Sequence, residues 1–287
     1  MNRRRTGLYL FFFLILSGTT LQAQEARSML WKISGRNLRV PSYLFGTMHM
    51  ICGEDFAIPP KLKKALGEVR TVTFEADIAD AEGSEKLIAL MEPIPGLLEQ
   101  AKPGQRTVLD SLLKEHQLTP EVLNHTSPFG LTSLLTVKAF NCSDPSNVKM
   151  MEKEIYNLAT ERALFIDELE SVDFQINMIR SMNTLEELLS TLKEIKEAPY
   201  FMKDLVRVYK TEDLAHLTRL MADPKFMSTA QQTRLLKERN HNWVQLLPEK
   251  MKRSATLFAV GAGHLGGNNG LIRLLKDKGY TVTPVFE

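Results

Sequence analysis

The chain has 287 residues, 36 of them Lys or Arg against 34 Asp or Glu, with 44% hydrophobic residues and two cysteines. A balance this close leaves no positive excess to attract a phosphate backbone or an anionic bilayer, which counts against nucleic-acid binding. Two cysteines are too few for a disulfide scaffold, and a chain of this length buries enough surface not to need one.

Residues 1–23 read as an export signal. Arg3, Arg4 and Arg5 form a positive start, residues 8–16 with Phe11, Phe12 and Phe13 at their centre form an apolar stretch, and small or polar residues lead to Ala23. The apolar stretch falls short of the roughly 20 residues a spanning helix needs. Cleavage is expected near Ala23, and no cysteine lies there to take a lipid anchor. Residues 24–287 are then one domain without a membrane span, periplasmic or secreted. Losing Arg3, Arg4 and Arg5 leaves 33 basic residues against 34 acidic ones, so the mildly basic whole-chain balance belongs to the signal. A bridge between Cys52 and Cys142 and two separate thiols are equally compatible with the sequence.

The mature chain has two β-rich ends and a helical middle. Residues 29–34, a turn at 35–37 and the apolar run 42–45 form a hairpin that stops at Gly46. Pro59-Pro60 opens a helix to about 68, proline being tolerated in a first turn. Residues 72–74 are a short strand leading into Glu75. From about 107 to 250 the pattern is helical. Thr107, Ser127, Thr211 and Ser228 are expected helix caps, and Thr184 with Glu187 has capping-box spacing. One strand at 164–166, preceded by a helix over 150–162, interrupts this stretch. Residues 255–260 are apolar throughout, as in a strand covered on both faces. A helix over 271–278, a stop at Gly279 and a last strand over 280–286 follow. The pattern predicts an α/β fold with a mixed sheet built from both ends of the chain and covered by helices from the long helical middle.

Two segments repeat one pattern. Residues 43–49 and 257–264 each run from an apolar strand into Gly-x-x-His, as Gly46-Thr47-Met48-His49 and Gly261-Ala262-Gly263-His264. Glycine allows a sharp exit or a close approach, and a histidine three residues on is carried to the strand's end, where α/β sheets hold ligands. Two such imidazoles can converge on one metal ion. Glu75, a carboxylate directly after a short apolar strand, can complete the set as third ligand or serve as the base that activates water. Arg239 and Asn240 lie on an apolar helix with Leu235, Leu236, Trp243, Leu246 and Leu247. Arg239 suits a clamp on a substrate carboxylate or oxyanion, and equally a buried tie to Glu170, with Asn240 fixing backbone or orienting it. Thr47 is either a site hydroxyl or a turn group satisfying its own backbone. His116, His125, His216 and His241 read as surface residues. No His-Glu-x-x-His, Gly-x-Ser-x-Gly or phosphate-binding loop is present.

These residues resemble the TraB/PrgY/GumN proteins, which share a domain with the Tiki metalloproteases. The paired Gly-x-x-His motifs, Phe74-Glu75-Ala76, Leu169-Glu170 with Gln175, Arg239-Asn240, and the stretch from Val260 to Leu265 carry the resemblance, which spans about residues 29–286. The family's usual Gly-x-Asp step is replaced here by Met150-Met151-Glu152, which puts a site role for that position in doubt. The resemblance implies a metal-dependent hydrolase acting on an extracellular peptide or protein segment. His49, His264 and Glu75 would hold a divalent ion (manganese, cobalt or zinc), Glu75 and Arg239 would be catalytic, and Gly46, Thr47, Asn240, Gly261, Gly263 and Glu170 would support them. A peptide-sequestering protein on the same fold and a metal-free esterase-like hydrolase stay open as alternatives. Replacing His49 or His264 by alanine, or Glu75 by glutamine, is expected to spare the fold, since they belong to a site rather than a core.

Overall fold

The computed structural model describes residues 27–77, 81–225 and 227–286. The expected export signal lies outside the described residues.

The N-terminal hairpin forms as its pattern predicts: strand β1 (Leu30–Ser34) pairs antiparallel with β2 (Ser42–Thr47), Leu30 opposite Phe45. The short β3 (Ile51–Cys52) and helix α1 (Pro60–Glu68) precede β4 (Thr71–Phe74). The middle of the chain supplies α2 (Ala81–Ala89), α3 (Pro103–Glu115), α4 (Pro128–Phe140), the two-residue β5 (Val148–Lys149), α5 (Met151–Glu161) and β6 (Phe165–Glu168). It continues through α6 (Val172–Met182), α7 (Leu185–Glu194), α8 (Ala198–Lys210), α9 (Leu214–Met221) and α10 (Thr229–Gln232). A π-helical turn joins α10 to α11 (Glu238–Arg253), and β7 (Thr256–Gly261), α12 (Leu271–Asp277) and β8 (Thr281–Pro284) close the chain.

Six strands form one mixed sheet in the order β6-β4-β7-β2-β1-β8. Strand β7, from the C-terminal end, lies between β4 and β2 and runs parallel to both, with Thr47 opposite Gly261 and Phe74 opposite Ala259. Every residue of β2, β4 and β7 is buried. That is why β7 and the middle of β2 read as apolar runs, whereas β4 alternates Thr71 and Thr73 with Val72 and Phe74 although it too is buried. The carboxyl ends of three parallel neighbours therefore open on one edge of the sheet, close under the helices. The main core gathers Phe45, Phe74, Trp243, Phe258 and their neighbours, each worth about 1.5–3 kcal/mol of burial. A second apolar cluster, including Leu109, Leu113, Leu188 and Leu192, ties α3, α4 and α7 together.

Cys52 and Cys142 form a disulfide, with Cα atoms 5.3 Å apart, that pins β3 to the end of α4. Beside it β3 pairs antiparallel with β5.

Three expected caps differ. Thr107 lies inside α3, its hydroxyl donating to the Pro103 carbonyl; the helix starts a turn earlier, at Pro103, where Gln105 accepts from the Lys102 amide. Thr211 closes α8, and Asp213 caps α9 by accepting from the His216 amide. Thr184 accepts from the Glu187 amide, but Glu187 turns outward to accept from Gln231, so the reciprocal half of that box is missing. Ser127 and Ser228 cap α4 and α10 as expected.

Candidate functional site

The register of β4, β7 and β2 carries Glu75, His264 and His49 to the same edge of the sheet. Gly46 faces Val260 rather than Gly261, so the two Gly-x-x-His motifs are staggered by one residue. His49 emerges over Gly261, whereas a 3-10 turn (Ala262–His264) folds His264 back beneath it. The glycines make room for this. A Cβ at Gly46 would come within 2.7 Å of Leu265 Cδ1 and 3.0 Å of Ala262 Cα. A Cβ at Gly261 would meet His49 Nε2 at 3.2 Å and Glu75 Oε1 at 3.3 Å, which shows both groups facing one small space. Gly263 has only ordinary contacts, with Leu236 at 3.6 Å.

Glu75, 7% exposed, accepts from the Gly261 amide at 2.7 Å and from Arg239 Nη2 at 2.5 Å. Burial works to raise its carboxyl, but His264, Arg239 and His49 together with the Gly261 amide outweigh it and hold the group at about 2. His264, 3% exposed, is pushed down to about 3, chiefly by burial. Its tautomer follows from its neighbours. Asn240 Nδ2 donates to the carbonyls of His264 and Asn269, which leaves Asn240 Oδ1 to accept from His264 Nδ1 at 2.7 Å. The lone pair of His264 Nε2 thus faces Glu75 Oε1 at 3.5 Å and Arg239 Nη1 at 3.4 Å.

His49 is built differently. Its side chain is 62% exposed at the mouth of the site, and Nδ1 meets Glu152 Oε1 at 2.7 Å. Thr47 donates to the same oxygen at 2.5 Å instead of serving its own backbone. Glu152 pulls the His49 imidazole up to about 9, and water at its open side screens part of that pull. The other carboxylate oxygen, Oε2, is buried without a hydrogen-bond partner.

Arg239 is buried, its guanidinium 4.5 Å over the Trp243 ring. Nε donates to Glu170 at 2.9 Å, Nη2 to both Glu75 and Glu170, and Nη1 to the Leu235 carbonyl at 3.2 Å with His264 Nε2 beyond. All five guanidinium N–H groups have an acceptor, which favours the tie over a free substrate clamp. Glu170 also accepts from Trp243 Nε1 and Gln175 Nε2, both at 3.0 Å.

The structure thus brings together His49, Glu75, His264, Arg239, Asn240, Thr47 and Glu170. His125 and His241 are exposed and His216 lies 3.3 Å from Asp204, but His116, expected at the surface, is half-buried with its Nε2 enclosed and without a hydrogen-bond partner among the described residues. Glu152, in doubt from the sequence, proves to be the partner of His49 and Thr47. A carboxylate on the stripe of Met151, Ile155 and Ala159, the buried face of α5, was the available signal. Tyr209, which donates to the Gly46 carbonyl at 2.8 Å, gave none.

Among the described residues, no three His, Cys, Asp or Glu side chains stand as a finished metal-ligand set. The donor chemistry nonetheless suits a divalent cation. His49 Nε2 and Glu75 Oε1 face the space beside Gly261, His264 Nε2 lies 3.5 Å from the same Glu75 oxygen, Glu152 and Asn240 fix the imidazoles from behind, and Glu152 Oε2 is an orphaned anionic oxygen. Two carboxylates, Glu75 and Glu170, pair with the Arg239 guanidinium, and a third, Glu152, pairs with His49.

The profile of the TraB/PrgY/gumN family matches residues 29–284, and the chain belongs to that family. It is also similar to Metalloprotease TIKI2 of Xenopus tropicalis, 24% identical over 92% of this chain and 61% of that protein. Metalloprotease TIKI2 of Danio rerio is 23% identical over 90% of this chain and again 61% of the relative. The chain spans about three fifths of the length of these curated relatives. No solved structure gives a significant match.

Proposed function

We propose that this TraB/PrgY/gumN protein is an exported, metal-dependent peptidase. One observation carries the reading: parallel β2, β7 and β4 lead His49, His264 and Glu75 to one sheet edge, where both imidazoles line one cavity and Glu75 Oε1 lies 3.5 Å from His264 Nε2. The distant likeness to the two metalloproteases supports it, as does the disulfide, a bond suited to an oxidising compartment.

In this proposal His49 and His264, through Nε2, and Glu75 hold a manganese, cobalt or zinc ion. Such an ion, when bound, lowers the pKa of water and polarises the scissile carbonyl. The chain's own groups prepare the place. Asn240 and Glu152 each take an Nδ1 proton, which turns both Nε2 atoms inward. Arg239 keeps Glu75 ionised, which suits a ligand better than a base, since a carboxyl held at about 2 accepts protons poorly. Glu170 and Trp243 fix Arg239 in turn. Without an ion, the negative surroundings keep a proton on His49, so ion uptake releases that proton.

The test is metal analysis of the purified full chain beside cleavage of a mixed peptide library with each ion. His49→Ala and His264→Ala should lose both metal and cleavage. If the unaltered protein binds peptides tightly yet cleaves none with any of the three ions, the peptidase reading fails and a peptide-sequestering protein takes its place.

A further inference from the structure

Beside the candidate site lies a cavity of ≈ 370 Å³ whose wall is rich in methionine: Met48, Met50, Met202, Met221 and Met227. Its only ionic lining groups are His49, Arg239 and His264, which belong to the site itself. Unbranched thioethers repack around apolar side chains of different shape. The cavity therefore offers a deep apolar seat next to the reacting centre.

Helix α8 connects this seat to a second space. Met202, Leu205 and Tyr209, at helical spacing, line the cavity, whereas Pro199, Lys203, Val206 and Lys210 line a larger cleft of ≈ 970 Å³. Phe140 and Met202 border both, so the two spaces are continuous neighbours. The cleft carries five cationic side chains (Lys138, Lys196, Lys203, Arg207 and Lys210) against the carboxylates of Asp55 and Glu115. Lys196 pairs with Glu115 at 2.5 Å, Lys210 with Asp55 at 2.6 Å and Arg207 with Asp204 at 2.5 Å. Lys138 and Lys203 have no ion-pair partner among the described residues. This local excess stands out on a chain whose overall charge is nearly balanced.

We infer that the substrate is an extended peptide that seats an apolar side chain in the methionine-lined cavity and lays acidic residues, a few positions away, on the lysine-rimmed cleft past Phe140 and Met202. The inference rests on the peptidase reading for the identity of the site, but binding can be read without turnover. A single chain spanning both spaces explains why an apolar seat and a cationic rim share two residues.

The experiment measures fluorescence anisotropy of labelled heptapeptides on the metal-free full chain. A peptide with Leu, Met or Phe followed by Asp and Glu should bind at least about tenfold more tightly than one with Ser at the apolar position or Lys at the acidic ones. The acidic preference should shrink with added salt, because exposed charges are screened. Lys138→Glu combined with Lys203→Glu changes two exposed side chains away from the candidate site. It should abolish the acidic preference while the apolar one survives. Equal affinity for acidic and basic peptides, or an acidic preference untouched by the double charge reversal, overturns the inference. Since no cleavage is needed, a chain that binds as described but hydrolyses nothing when manganese, cobalt or zinc is added would sink the peptidase reading alone.

Discussion

Gly261 is a glycine for space, not for backbone freedom. Its φ of −51° suits any residue, so the only penalty for a methyl group is the contact with His49 and Glu75. Glu75 is fixed by two donors while His49 is open to water, so His49 should give way. Gly261→Ala is expected to cost about 1 kcal/mol or less in urea unfolding, yet to cut peptide turnover by about 10²-fold through a misplaced imidazole. Arg239 behaves in the opposite sense. Removing it leaves Glu75 and Glu170 as buried, uncompensated charges, so Arg239→Ala should lower unfolding stability by about 3–5 kcal/mol. The expectation that changes at the site spare the fold therefore does not hold here: Glu75, Arg239 and His264 are as buried as the core around them. Glu75→Gln keeps the shape but loses the charge. Turnover should fall by about 10²-fold or more, and peptide anisotropy should show affinity largely kept.

Among the elements, α4 is held at its far end by the Cys52–Cys142 bond, two residues beyond Phe140. The bond closes a loop with a sequence separation of 90, for which chain entropy gives a stabilisation of about 4–5 kcal/mol. Replacing both cysteines by alanine should lower the urea midpoint accordingly and weaken binding of apolar peptides, since Phe140 borders the cavity. Element by element, the sheet was legible because β2 and β7, covered on both faces, carry apolar runs, and β4 is a short β-branched and aromatic stretch. Helix α11 was legible in part. Its buried face is Arg239, Asn240, Trp243, Val244, Leu247 and Met251, and Leu246 points to water. Apolar residues alone misplace a stripe that two polar site residues help to form. Glu152 escaped for a similar reason: a carboxylate near a helix start ordinarily serves the helix dipole, and nothing local reveals a histidine 103 residues away in sequence. The disulfide was undecidable because pairing depends on a distance only the fold sets.

The molecule as a whole should be sensitive to acid. Glu75 titrates at about 2 instead of 4.5, so its ionised form contributes stability above pH 4.5 that disappears as pH falls toward 2. His264 titrates at about 3 instead of 6.5, so below 6.5 the unfolded chain takes a proton that the folded chain refuses, and stability falls further. His49 has the reverse sign: its contribution is complete below 6.5 and fades as pH rises through about 9, reduced by its exposure. Urea midpoints of the metal-free protein should therefore peak between about pH 6 and 8. A profile that stays flat from pH 6.5 to pH 4 would show that buried, neutral His264 contributes no acid sensitivity, and one flat on down to pH 2 would show the same of Glu75.

Strand β7 occupies the centre of the sheet, yet in the chain it follows every other strand of that sheet except β8. Until it arrives, the hairpin of β1 and β2 and the pair of β4 and β6 have no strand to join them. His49 then waits on one fragment of sheet, Glu75 on another, and His264 does not yet exist. A chain that does not yet include β7 thus has no assembled centre, and closing contacts over some two hundred residues makes that assembly slow. The order of the sheet acts as a clock: whatever this centre does, it begins only once β7 has taken its place between β2 and β4.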